Sequence, residues 1–106
     1  MYEIKPEDAP LLVEFREREP RDFSLELRRL LNRLRLVPLA GREVILTVEP
    51  EAKWCIGRLG PRRGDRVERI DERVFASHKE AEFAVLVMRW QRLTHHPLPG
   101  GLVRIP

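Results

Sequence analysis

Three histidines and one cysteine are the side chains of this sequence best suited to bind a metal ion or to act in catalysis. His95 and His96 are adjacent, so in a helix or a strand their rings point apart instead of converging on one ion. No aspartate or cysteine lies at a spacing that convincingly supplies a third ligand. The pair suits a helix C-terminus, where positive charge favours the helix dipole. We therefore predict no metal site and no cofactor on this chain.

The remaining candidate nucleophiles have settings that indicate structural roles. Cys55 follows Trp54 in a predicted strand, where a lone cysteine is typical of a small buried apolar residue. Ser24 and Ser77 both precede predicted helices and suit helix caps, and neither lies in a Gly-x-Ser-x-Gly sequence. The glycines of residues 57–64 lack the spacing and the Lys-Ser/Thr ending of a phosphate-binding loop. The sequence therefore predicts no catalytic residue on this chain.

The composition excludes several classes of protein. The chain has 106 residues, of which 42% are hydrophobic and 35% charged, which is typical of one folded domain. No apolar run approaches the roughly 20 residues that cross a bilayer, and the N-terminal residues do not resemble a signal peptide. The lack of a signal peptide favours the cytoplasm, and the single cysteine is compatible with it because no internal disulfide forms. The net charge of +3 is weak evidence for nucleic-acid binding.

Two helices are predicted in the first part of the chain. A short one lies within 1–20, and a stronger one spans about 23–36, capped by Asp22 or Ser24. Apolar side chains recur along one stripe of the second helix at helical spacing: Phe23, Leu27, Leu30, Leu31 and Leu34. Its other side is either a solvated surface or a surface that docks a partner or a phosphate backbone: Arg28, Arg29, Asn32, Arg33 and Arg35.

A small antiparallel sheet is predicted in the middle of the chain. Residues 43–49 are rich in β-branched side chains and predict a first strand, and residues 53–59 predict a second. The composition of residues 60–65 is typical of a loop. Residues 66–75 favour a third strand antiparallel to the second, although apolar and polar side chains alternate less regularly there. We therefore expect two or three strands.

The last predicted helix is apolar on two sides. Ser77 and Glu80 form a capping box, so the helix is expected over about 78–93. One apolar stripe contains Ala81, Ala84, Val85 and Met88, and a second contains Phe83, Leu86, Val87 and Trp90. A three-stranded sheet covers only one stripe. The second stripe is then covered either by this chain's own helices or by a partner subunit that buries Phe83, Val87 and Trp90.

These elements predict an α+β fold. N-terminal helices precede a small antiparallel sheet of two or three strands, and a long C-terminal helix follows it. We expect one domain over residues 1–106. The Pro- and Gly-rich residues 94–106 are expected to form an extended tail along a neighbouring chain.

An ordered set of residues between 27 and 89 resembles a known family. In the second helix and after it, the set contains Leu27, Arg29, Asn32, Arg35, Pro38, Gly41 and Arg42. In the sheet and the last helix, it contains Trp54, Ile56, Glu72, Arg73, Phe75, Ser77, Glu80, Ala81, Ala84, Val85 and Arg89. Through these residues the chain resembles the small (alpha) subunit of N,N-dimethylformamidase.

The resemblance implies a subunit of a hydrolase that acts on linear amides, cleaving dimethylformamide to formate and dimethylamine. It implies that a large subunit holds a catalytic iron with tyrosine and glutamate side chains, and that the small subunit stabilises it in a hetero-oligomer. The one tyrosine of this chain, Tyr2, is too few for such a site. We predict that the large subunit contacts Arg29, Asn32, Arg35, Phe83, Val87 and Trp90.

A nucleic-acid-binding module is the alternative function. Three strands followed by a helix that begins FASHKEA also resemble the small sheet domains with which phage-type integrases bind DNA. Arg58, Arg62, Arg63 and Arg66 would then contact phosphates. For the arginines of residues 61–66, a solvated hairpin loop is the favoured interpretation. Affinity for duplex DNA that falls steeply with salt would favour the nucleic-acid function.

Overall fold

The computed structural model describes residues 4, 6–36, 41–70 and 72–95. Within those residues the chain forms three α-helices and one three-stranded antiparallel sheet, which confirms the predicted α+β class. No helix among them is long and apolar enough to span a membrane. The helices are α1 (Ala9–Glu17), α2 (Leu25–Arg35) and α3 (His78–Thr94), and the strands are β1 (Glu43–Glu49), β2 (Lys53–Arg58) and β3 (Glu68–Arg69).

The chain divides into two compact units. The helical unit contains α1, α2 and the part of α3 from Leu86 onwards. The sheet unit contains the three strands and the first part of α3, up to Val85. The long C-terminal helix is therefore shared along its length between two groups of neighbours.

In the helical unit, α1 and α2 contact each other directly. Proline in the first turn of α1 costs no hydrogen bond, because the N–H groups there have no helical partner. The Ser24 side chain caps α2 by accepting a hydrogen bond from the Leu27 N–H at 3.1 Å, so Ser24 and not Asp22 is the cap. The predicted apolar stripe of α2 is buried at Leu27, Leu30, Leu31 and Leu34, whereas Phe23 precedes the helix and is half-buried.

Two contacts fix the ends of α2 within the helical unit. Phe23 lies just before the helix, with its ring centroid 5.6 Å from that of Phe15 on α1. At the other end, Arg89 Nη1 donates a hydrogen bond to the Leu34 carbonyl at 3.5 Å. The last carbonyls of a helix have no partner inside it, so this arginine satisfies one of them.

In the sheet unit, β2 lies between β1 and β3. The pairing of β1 with β2 runs antiparallel from Glu43 opposite Arg58, with an irregularity between Thr47 and Glu49. The connecting turn is closed by a hydrogen bond from the Ala52 N–H to the Glu49 carbonyl at 3.0 Å. Both strands lie where the sequence predicts them, although β2 ends one residue early.

The third strand forms but is much shorter than the predicted 66–75. Only Glu68 and Arg69 pair with β2 as a strand, and a separate bridge joins Phe75 to Trp54. Gly57 of β2 allows this approach, because a Cβ there would lie 2.7 Å from Leu46 Cδ1 and 3.0 Å from the Glu68 carbonyl oxygen. The third strand therefore depends on the close approach of Glu68 to Gly57, which the alternation of side chains within residues 66–75 does not predict.

The bounds of α3 agree with the predicted 78–93 to within one residue. The Ser77 Oγ accepts a hydrogen bond from the Glu80 N–H at 3.4 Å, as expected of a capping residue. His95 follows the last turn with a φ of 60°, and its N–H donates to the Gln91 carbonyl at 2.8 Å. This places His95 at the helix C-terminus as predicted. His96 and the rest of the predicted tail lie outside the described residues.

The second apolar stripe of α3 is covered by the chain itself. Phe83, Val87 and Trp90 are only 1%, 4% and 2% exposed. Of the two alternatives, coverage by the chain itself is the one that the structure shows. The physical reason is that α3 is shared, since its first part groups with the sheet and its second part with α1 and α2. Contact of these three residues with a partner stays a prediction.

Candidate partner-binding surface

The predicted contact residues of α2 lie together on its exposed side. Arg29, Asn32 and Arg35 are all exposed, whereas the leucine stripe of the same helix is buried. Successive residues of a helix are turned by about 100°, so residues three and four apart share a face. We call the exposed set the basic face of α2: Leu25, Arg28, Arg29, Asn32, Arg35 and Leu36.

Two leucines at the ends of this face were not predicted as contact residues. Leu25 is 58% exposed and Leu36, the C-cap residue, is 74% exposed. The sequence does indicate that Leu25 is exposed, because it lies off the stripe that runs from Leu27 to Leu34. Exposed leucines are common on protein surfaces, but here both adjoin a concentrated group of arginines.

The arginines of α2 carry charge that the described residues do not neutralise. The helix has four arginines, Arg28, Arg29, Arg33 and Arg35, and one acidic residue, Glu26. Within the described part of the chain, no guanidinium group of these four forms a hydrogen bond or an ion pair. Arginine stays protonated at any physiological pH. The helix therefore presents a net positive charge to its surroundings.

The arginines of the sheet unit have a different setting. Arg58 on β2 lies opposite Glu43, and its Nη2 is 3.8 Å from the Glu43 Oε2, whose side chain is almost fully buried. Arg62 and Arg63 are exposed in the predicted loop, where the Arg62 N–H donates to Asp65 Oδ2 at 3.0 Å. Arg58 therefore already has a carboxylate partner, and Asp65 adds negative charge to the loop. Binding of phosphates by these arginines stays a prediction.

Several side chains capable of acid–base or nucleophilic chemistry have structural roles. Ser24 donates from its N–H to Glu14 Oε2 at 2.6 Å and from its hydroxyl to Glu14 Oε1 at 2.8 Å. Cys55 is buried. His78 Nδ1 lies 2.7 Å from Glu82 Oε1, one turn further along α3. These contacts use the groups to hold helices and strands in place.

The pKa of Glu14 is lowered by its position beside the start of α2. The largest cause is the hydrogen bond from the Ser24 backbone N–H, with further lowering by the Ser24 hydroxyl and by Arg18. Burial acts in the opposite direction. Because the folded state favours the ionised carboxylate, Glu14 stabilises the fold above the unfolded pKa of about 4.3. That stability is lost as the pH falls through the lower folded pKa.

We expect Glu14→Gln to weaken the chain at neutral pH and to flatten its response to acid. The amide keeps one acceptor oxygen but loses the charge, so the loss should be about 1–2 kcal/mol at pH near 7. Urea unfolding at neutral pH and below pH ~4 measures both effects. Glu17→Gln, an exposed change on the same helix, is the matched control. An identical acid response in both variants would contradict the assignment.

The described residues do not fit the iron site that the resemblance implies for the enzyme. The resemblance implies tyrosine and glutamate ligands, and the one tyrosine, Tyr2, lies outside the described residues. Among the described residues, no three His, Cys, Asp or Glu side chains come close enough together to hold a metal ion.

Comparison with known proteins identifies the family. The family model described as the N,N-dimethylformamidase alpha subunit matches residues 2–98. A search of curated proteins found no match to the chain. The family match extends over nearly the whole sequence and includes both the basic face of α2 and all of α3. The chain therefore belongs to the N,N-dimethylformamidase alpha subunit family.

Proposed function

We propose that this chain is the non-catalytic small subunit of a cytoplasmic, amide-hydrolysing enzyme, and that it binds and stabilises a large, iron-dependent catalytic subunit. The family match over residues 2–98 carries the proposal. The substrates are linear amides such as dimethylformamide, whose C–N bond is hydrolysed to formate and dimethylamine. The iron and its ligands belong to the large subunit of this hetero-oligomer.

The structural use of reactive side chains supports the non-catalytic role. A catalytic acid, base or nucleophile has to reach the substrate. Ser24 and Ser77 cap helices, Glu14 binds the start of α2, and Cys55 is buried. A group committed to such contacts loses its structural function if it turns towards a substrate.

Reconstitution with the large subunit tests this function. We expect the two chains to copurify, and we expect the large subunit alone to unfold at a lower temperature and to lose most of its activity. The measurements are formate release from dimethylformamide and thermal unfolding of the large subunit with and without this chain. A large subunit that is equally stable and active alone would overturn the stabilising role.

A variant of the small subunit tests the non-catalytic part separately. His78 and Glu82 form an accessible acid–base pair on α3, with His78 Nδ1 2.7 Å from Glu82 Oε1. The double variant His78→Gln, Glu82→Gln should leave kcat and KM of the complex unchanged, because neither group takes part in the reaction. A fall in kcat of about 100-fold or more, the effect of losing a general acid or base, would assign catalysis to this chain.

A further inference from the structure

The basic face of α2 has the exposure and the charge of a surface that recognises the large subunit. Its side chains are exposed, and the guanidinium groups of Arg28, Arg29 and Arg35 are not neutralised by any described residue. The opposite side of the same helix is fixed by four buried leucines. The helix therefore holds these charges on a rigid support, which reduces the entropy lost on binding.

We propose that the basic face of α2 docks on a carboxylate-rich patch of the large catalytic subunit. The proposal rests on the proposed function, since it names the surface through which the small subunit binds. The charge of the basic face sets the chemistry of the partner: its three arginines, with no acidic residue among them, favour negative groups opposite them. Aspartate and glutamate side chains meet this requirement with two hydrogen bonds per arginine.

The exposed leucines favour a protein over a nucleic acid as the occupant. Leu25 and Leu36 lie at the two ends of the face, and a phosphate backbone offers no apolar surface to cover them. A protein surface offers both carboxylates and apolar side chains.

The size of α2 limits the share of the interface that it supplies. Eleven residues at about 1.5 Å each give a helix roughly 16 Å long. One face of so short a helix presents less area than the roughly 800 Å² per partner of a stable interface. The basic face therefore forms one part of the contact. Charge pairs in such a contact accelerate association and set specificity, and each close pair also contributes to affinity.

Charge reversal on α2 is the direct test. The double variant Arg29→Glu, Arg35→Glu should weaken binding of the purified large subunit by about 100-fold or more, since like charges then face each other. Arg62→Glu, Arg63→Glu makes the same change in charge on the exposed loop and should leave the dissociation constant within about 3-fold. Surface plasmon resonance with the immobilised large subunit measures both, and circular dichroism confirms that each variant is folded.

The wild-type chain supplies a second readout that needs no substitution. Its dissociation constant should rise as NaCl increases from about 50 mM to about 500 mM, because salt screens exposed charges. If it does not change, or if the α2 and loop variants bind equally well, the docking surface is wrong while the proposed function stands. If the wild-type chain does not bind the large subunit at any salt concentration, the proposed function itself fails.

Binding of duplex DNA to the same variants distinguishes a protein partner from a nucleic acid. We expect a fluorescent duplex to bind the wild-type chain no better than it binds the α2 variant at physiological salt. The proposal would be overturned by two results together: the duplex binds the wild-type chain tightly and loses affinity when Arg29 and Arg35 are reversed, and binding of the large subunit is unaffected. The basic face of α2 would then be a phosphate-binding surface.

Discussion

Replacement of Trp90 by alanine is expected to destabilise the isolated chain by about 3–5 kcal/mol. Trp90 is among the largest fully buried side chains, and its removal leaves a cavity as well as a loss of buried apolar surface. A domain of this size has a free energy of unfolding of only about 5–15 kcal/mol. The variant should therefore lose a large share of its free energy of unfolding, as measured by urea denaturation followed by circular dichroism.

The control and the contradicting result for Trp90 use the same helix. Gln91→Ala changes the next residue, which is exposed, and should alter the free energy of unfolding by less than about 0.5 kcal/mol. If Trp90→Ala left the isolated chain as stable as Gln91→Ala does, the internal coverage of α3 would be refuted. If Trp90→Ala left the chain stable and lost only its binding to the large subunit, coverage of the second stripe of α3 by a partner would be supported instead.

Leu27→Ala is expected to cost about 2–5 kcal/mol, whereas Leu25→Ala costs less than about 0.5 kcal/mol. The two leucines lie two residues apart on α2, and only Leu27 is fully buried. The comparison keeps the residue type, the helix and the removed atoms constant and changes only burial. Chemical denaturation of the isolated chain measures the difference in the free energy of unfolding.

The same pair also separates stability from binding. Leu25 belongs to the basic face of α2, so Leu25→Ala should weaken binding of the large subunit while leaving the chain folded. Equal loss of stability in the two variants would mean that α2 is not oriented as described. The family assignment would be unaffected, since it depends on the match over residues 2–98.

Local signals explain the accuracy of the helix predictions. Leucines spaced three and four apart and a serine ahead of them act within a few residues, so α2 follows from its own sequence. Asp22 and Ser24 were both acceptable caps because each offers an oxygen to a free N–H. The choice of Ser24 became clear only with the Glu14 carboxylate, ten residues away, which receives two hydrogen bonds from Ser24.

The contact residues illustrate the limit of sequence patterns. The arginines of α2 were predicted on the exposed side because the opposite side was occupied by leucines. The two apolar sides of α3 predict contact of Phe83, Val87 and Trp90 with a partner, whereas the structure buries them inside the chain. Contact between these three residues and the large subunit has lost that physical basis, whereas Arg29, Asn32 and Arg35 stay a prediction.

The helices, the first two strands and the positively charged side of α2 follow from local sequence, because hydrophobic period and capping operate between near neighbours. Tertiary structure alone decided how short β3 is and what covers α3. Burial depends on which distant segments of the chain pack together. The sequence pattern shows how much apolar surface has to be buried, but it does not show which part of the molecule buries it.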